Sequence, residues 1–239
     1  EESICLSADN VVNDSDLAVD KGNFFVELGS VVSKLAEGML ASLAIFVLTL
    51  VFSLPLGLLL MFVRLSKVNV IRWIAKIYIS IMRGTPLMLQ LLVVFFGPYY
   101  VFGISLSYSY RFYAVIIGFA LNYAAYFAEI FRSGIQAIPV GQSEAATVLG
   151  YTRAQTFVRI ILPQMTRIVL PPVTNEVITL VKDTSLAFAL AYTEMFTLAK
   201  QIAAASASIM PLFIAGAFYY IFNFIVAWIM EYIEKKMRY

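Results

Sequence analysis

Ionisable side chains set inside otherwise apolar stretches offer the most chemistry in this sequence. Lys182 and Asp183 sit near the middle of an apolar run from about Ile168 to Tyr192, where a charge at a membrane-helix centre costs roughly 2.5–3.5 kcal/mol. As neighbours in sequence they do not face each other on a helix, so each needs a partner or water. Glu176, Thr179 and Asp183 recur at i, i+3 and i+7 and form one polar stripe, and Asn122, Tyr126 and Glu129 form a second. The two stripes are expected to face a shared polar interior. Structural pairing between helices or between subunits accounts for such residues as well as a ligand path does. Glu129 also has Arg132 one turn away, so a local ion pair is the simpler expectation there. Glu176 lies closer to the other end of its run and suits an inner gate.

Other chemistries lack their residues. The 239-residue chain contains no His and a single cysteine, Cys5, which removes the commonest general base, intrachain disulfides and a structural zinc site. No G-x-x-x-x-G-K-[ST] phosphate loop occurs, so the chain is not expected to hydrolyse ATP. A net charge of +2 from 17 basic and 15 acidic side chains gives no reason to expect nucleic acid as a partner.

The elements that position these residues follow from composition. At 61% hydrophobic and 13% charged residues, the chain lies outside the roughly 45–50% and 25% of soluble domains. Residues 38–63, 84–110, 112–128 and 201–230 hold no ionisable acid or base, and about 20 apolar residues cross a bilayer. The reading is an all-α, polytopic membrane protein with five transmembrane helices, at about Leu35–Val63, Gly84–Phe102, Phe112–Phe131, Ile168–Tyr192 and Ile209–Ile233. Before the second span lies a basic, partly amphipathic stretch with Arg72, Lys76 and Arg83, either its cytoplasmic end or an interfacial segment. Arg83 reads as an interfacial anchor, with Gly84 and Pro86 setting a bend.

Lysines and arginines collect after the first, third and fifth spans, so those connections are expected inside, the N-terminus outside and the C-terminus in the cytoplasm. Tyr99, Tyr100, Phe102, Tyr108, Tyr110, Phe112 and Tyr113 gather at the outer boundary as an aromatic belt. Residues 1–34 divide off as an acidic extracytoplasmic tail and interfacial helix, carried by Phe24, Leu28, Val31 and Leu35 at helical spacing. They contain no basic stretch followed by an apolar core, so no retained signal peptide is read there. Residues 35–239 form the membrane domain.

The connection 132–167 is long for such a chain and therefore expected to be functional. Ser143 is expected to cap a helix through Leu149 that stops at Gly150. Thr152 and Gln155 form a capping-box pattern for a second helix ending at Pro163.

In this loop Glu144-Ala145-Ala146, three residues, Gly150, nine residues, then Ile160-x-Leu162-Pro163 resembles the EAA loop of ABC importer permeases. Arg83-Gly84-Thr85-Pro86 with Gln90, Asn122-Tyr123-Ala124-Ala125-Tyr126 with Glu129, the run Arg132–Gln142, and Lys182–Leu186 narrow the resemblance to the polar amino-acid branch. The resemblance covers about residues 35–239. It implies a type I ABC importer permease fold in a bacterial inner membrane. Glu144, Ala145, Ala146, Gly150, Leu162 and Pro163 would then dock and couple to an ABC ATPase subunit. ATP and Mg would be bound by that partner, and no cofactor by this chain, which is a transport subunit and no enzyme. A second permease copy or a paralogue and an extracytoplasmic binding protein would complete the importer. The shared interior would be the path of a polar amino acid, lined by Asn122, Asp183, Thr184, Ser185, Glu176 and Glu129. The competing reading is an ion-gradient transporter using Lys182, Asp183 and Glu129, which leaves the EAA-like loop unexplained.

Overall fold

The computed structural model describes residues 24–104 and 107–238, and the described residues are helical throughout with short connections. The helices are α1 (Phe24–Arg64), α2 (Asn69–Gly84), α3 (Leu87–Phe102), α4 (Tyr108–Gln136), α5 (Val140–Val148), α6 (Arg153–Thr156), α7 (Leu162–Asp183), α8 (Met195–Ser206) and α9 (Met210–Arg238). A π-helical segment, Phe157–Ile161, joins α6 to α7, and a 3₁₀ segment, Thr184–Leu190, follows α7. The acidic tail up to residue 23, with Cys5, lies outside the described residues. Helix α1 runs without a break across residue 35, so the expected interfacial helix and the first span are one rod.

Helix α4 is the centre of the fold. Ala114, Val115, Phe119, Tyr123, Ala124 and Phe127 are all at 2% exposure or less, and Phe119, Tyr123, Phe127 and Phe131 follow one another at successive i+4 positions with centroids 6.1–6.4 Å apart. Helix α1 packs against α4 in the same direction, with Gly57 against Phe127 and Ala124, and Arg64 against Glu129. Helix α9 stays peripheral. Phe213, Tyr220, Phe224 and Trp228 remain outward, as lipid-facing residues do.

The contact at Gly57 depends on the absence of a side chain. A Cβ there would meet Phe127 Cβ at 2.8 Å and the Ala124 carbonyl oxygen at 3.1 Å, one of them backbone, so neither swings aside. Gly57→Ala is expected to destabilise the bundle by about 1–3 kcal/mol, read as a lowered melting temperature in detergent. An unchanged melting temperature would show that α1 and α4 are free to separate.

Length and composition give three helices able to cross a membrane, Leu28–Arg64, Ser109–Gln136 and Met210–Met237, and a fourth span if α2 and α3 count as one bent pair. The expected count of five is therefore not established by these helices. The difference is α7, which carries Arg167, Glu176, Lys182 and Asp183 within 22 residues. The expected continuous helix from Ile168 to Tyr192 is also corrected. The α-helix ends at Asp183, and the Thr184 and Ser185 hydroxyls donate back to the Val181 and Lys182 carbonyls, both at 2.8 Å, as the chain tightens into 3₁₀ geometry. Lys182 and Asp183 thus stand at a helix end, not at mid-helix. The connection between the fourth and fifth expected spans contains α8, whose Met195, Ala199 and Ile202 pack on Val31 and Leu35 of α1.

Candidate functional site

The second apolar run is built around a break. Pro86 has no N–H to continue a helix and holds Thr85 in extended geometry (φ −119°, ψ 149°), so α2 and α3 diverge by 112°. Breaking the helix frees carbonyls, and two amide side chains take them up. Gln90 Nε2 donates to the carbonyls of Met82 (2.9 Å) and Thr85 (3.1 Å). Asn122 Nδ2 donates to the Met82 carbonyl (3.0 Å) and to Gln90 Oε1 (2.9 Å), reaching across from α4. Asn122 is buried, and both of its donors are committed to the bend. It does not touch Asp183.

The two polar stripes meet instead through Tyr123, whose hydroxyl donates to Asp183 Oδ2 at 2.7 Å. Thr184 is fully buried, whereas Ser185 keeps partial exposure. Two turns before Asp183, the half-buried Glu176 lies within the field of Arg83, whose guanidinium sits 5.3 Å over the Tyr126 ring. Arg83, expected to be an anchor, therefore belongs to this cluster by cation–π contact. Glu129 closes the series in ion pairs with Arg132 at 2.6 Å and Arg64 at 3.6 Å, and the Arg132 Nε also donates to it at 2.8 Å. The series runs along α4 from Asp183–Tyr123, through Tyr126, Arg83 and Glu176, to Glu129, with acids and bases interleaved.

At the Glu129 end of the bundle stands the EAA-like element. Helix α5 begins at Val140 after Pro139, four residues earlier than a Ser143 cap would place it, and the Ser143 carbonyl accepts from Thr147 Oγ1 (2.9 Å) inside the helix. Pro139 takes the N-cap position, with φ −55° and ψ 134°, and no side chain caps the helix. The stop at Gly150 is as expected, with φ +79° in the left-handed region. Ala146 packs inward, while Glu144 and Ala145 stay on the open face with Val148 and Leu149, which are 87% and 73% exposed.

The Thr152–Gln155 capping box forms with both of its bonds. Its helix, however, does not end at Pro163. The proline takes a first-turn position of α7, where no N–H is required, and the π segment before it absorbs the register change. Gln164 Nε2 donates to the Ile160 carbonyl at 2.9 Å. Helical structure is thus continuous from Arg153 to Asp183, with Pro163, Pro171 and Pro172 within it, and joins the exposed element to the polar series.

Glu194 escaped the sequence reading. It is fully buried and caps α8, receiving the backbone N–H of Phe196 at 2.8 Å and of Thr197 at 2.7 Å. A carboxylate immediately before an apolar run is a helix-start signal, but its partners in α1 and α9 leave no trace in the local sequence.

Residues 53–239 match the family described as "Binding-protein-dependent transport system inner membrane component". Among curated proteins, an L-cystine transport system permease protein of Bacillus subtilis (strain 168) is 36% identical over 205 residues, 85% of this chain and 86% of that one. An arginine transport system permease protein of the same organism is 36% identical, covering 84% of this chain and 91% of that one. Among solved structures, an amino acid ABC transporter crystallised with histidines superposes with a TM-score of 0.77 at 29% identity, covering 89% of this chain and 96% of that one.

Proposed function

The chain belongs to the binding-protein-dependent transport system inner membrane components, and from that premise we propose that it is the permease subunit of an ABC importer that passes a polar amino acid along the Asp183–Glu176–Glu129 series. It is a transport component, and ATP hydrolysis belongs to a separate subunit. The observation that carries the reading is the helical rod from Arg153 to Asp183. It begins beside the exposed face of α5, where an ATPase subunit would sit, and ends where Tyr123 holds Asp183. A displacement of the docked ATPase moves α5, and the rod carries that movement to the polar series as a lever rather than dissipating it in a loop.

The path residues divide by their partners. Asp183 and Glu176 are accessible acceptors for the ammonium group or a polar side chain, and Ser185 borders them. Arg83 and Lys182 supply the positive charge that a carboxylate requires. Asn122 and Gln90 hold the bend that carries Arg83 in place. Glu129, held by both Arg132 and Arg64, serves the end of the path nearest α5 as an ion-paired cluster whose opening admits water.

The remaining assembly follows from the same reading. The bent α2–α3 pair and the α7–3₁₀ segment supply the second and fourth of five spans. Arg64, Lys67 and Arg72 lie at the same end as α5, so that end faces the cytoplasm and the start of α1 faces outward. A second permease subunit closes the path, an extracytoplasmic binding protein delivers the amino acid, and two ATPase subunits bind ATP and Mg. Asp183→Ala, in a complex that still assembles with its ATPase, is expected to lower amino-acid uptake at least about tenfold, the effect of one lost charged contact. Undiminished uptake would remove Asp183 from the path.

A further inference from the structure

Helix α2 has three faces; the bundle covers one of them, and of another it takes up only the end, where Arg83 lies over Tyr126. Ala75 and Ile79 are buried against its neighbours. A second face presents Val70, Ile74, Ile77 and Ile81, between 36% and 66% exposed, toward lipid. The third carries Asn69, Arg72, Lys76, Ser80 and Arg83, at i, i+3, i+7, i+11 and i+14. At the start of this polar face a groove of about 690 Å³ is lined by Arg64, Asn69, Val70, Arg72, Trp73 and Lys76. Three cations converge there and no acid lines it. Arg64 touches Glu129 at 3.6 Å, but that carboxylate is held more tightly by Arg132 at 2.6 Å. Arg72 and Lys76 make no ion pair among the described residues. Asn69 Oδ1 accepts from Arg72 Nη2 at 2.6 Å and orients the guanidinium. The groove lies at the α5 end of the bundle, since Phe62, two residues before Arg64, packs on Phe157 at 5.1 Å and lines one cavity with Val140 and Ser143.

From this juxtaposition of a basic groove, an exposed indole and an adjoining apolar strip, we propose that the groove binds the phosphate of an anionic phospholipid, with its acyl chains along Val70, Ile74, Ile77 and Ile81. Arg64, Arg72 and Lys76 supply the charge-assisted hydrogen bonds, and Trp73 takes the boundary position that indoles favour. An occupant joins the end of α1 to the start of α2 across the connection 65–68, and so steadies the helix whose other end forms the bend at Pro86.

The test uses the permease–ATPase complex, delipidated and equilibrated with mixed micelles holding equal phosphatidylglycerol and phosphatidylcholine, with retained lipid read by native mass spectrometry. Phosphatidylglycerol is expected to be retained at least about 25-fold over phosphatidylcholine, at about fivefold per cation engaged. Combining Arg72→Gln with Lys76→Gln should reduce its retention about 25-fold, at about fivefold per cation removed, while Arg72→Lys with Lys76→Arg retains it. Equal retention of the two lipids, or no loss in the double glutamine variant, overturns the proposal, as does full displacement by an equal concentration of soluble glycerol phosphate. Should the double variant fail to assemble, Lys76→Gln alone is measured, with a fivefold loss expected and no loss contradicting.

Discussion

Glu194→Ala is expected to destabilise the bundle by about 3–5 kcal/mol, since several buried donors lose their acceptor at about 1–3 kcal/mol each, and to lower the melting temperature. The carboxylate is fully buried and accepts five hydrogen bonds. Oε1 receives the Thr197 N–H at 2.7 Å and the Thr197 hydroxyl at 2.9 Å. Oε2 receives the Phe196 N–H at 2.8 Å, the Tyr219 hydroxyl at 3.1 Å and the Ser42 hydroxyl at 3.2 Å. Helices α1, α8 and α9 thus share one acceptor pair, and alanine leaves these donors buried without it. Glutamine keeps the shape but offers only one acceptor oxygen, so Glu194→Gln should fall between wild type and alanine. Thermal unfolding in detergent checks both. If Glu194→Ala melts with wild type, the three helices are held by apolar packing at Val31, Leu35 and Ile202 instead.

The largest expected functional effect is that of Glu144→Arg. Glu144 lies on the open face of α5 and makes no hydrogen bond or ion pair among the described residues, so the substitution should leave the melting temperature of the isolated permease unchanged. In the assembled importer a reversed charge at a covered surface costs about 3 kcal/mol, more than a hundredfold in affinity. Co-purification of the ATPase and uptake should fall together. Loss of uptake with full retention of the ATPase would place Glu144 in coupling rather than docking, and retention of both would remove α5 from the interface.

What could be read from the sequence is what local composition determines. The long apolar rods α1, α4 and α9 needed only length, and Glu129 with Arg132 needed only one helical turn. The Thr152–Gln155 box and the stop at Gly150 are likewise contained within a few residues. Long-range bonds decided the rest. The Gly84–Pro86 break was legible as a bend, but its carbonyls are taken up by Gln90 and by Asn122, 40 residues from Met82, which draws Asn122 away from the stripe it shares with Glu129. Asp183 was legible as a polar residue in need of a partner, but the partner proved to be Tyr123, an aromatic outside both polar stripes. The shift from α-helix to 3₁₀ geometry after Asp183 has no breaker residue to announce it. Helix α8 was missed because its cap, Glu194, takes partners as far away as Ser42, 152 residues earlier.

The central claim is that helix movement driven by a separate ATPase carries an amino acid past Asp183. Its most direct test is uptake of a labelled amino acid by the permease–ATPase complex in sealed vesicles with the binding protein on the opposite side from the ATPase. The account predicts uptake that requires ATP on the ATPase side, persists when proton and sodium gradients are collapsed, and disappears with Glu144→Arg. Uptake by the permease alone, driven by an ion gradient without ATP, would contradict it.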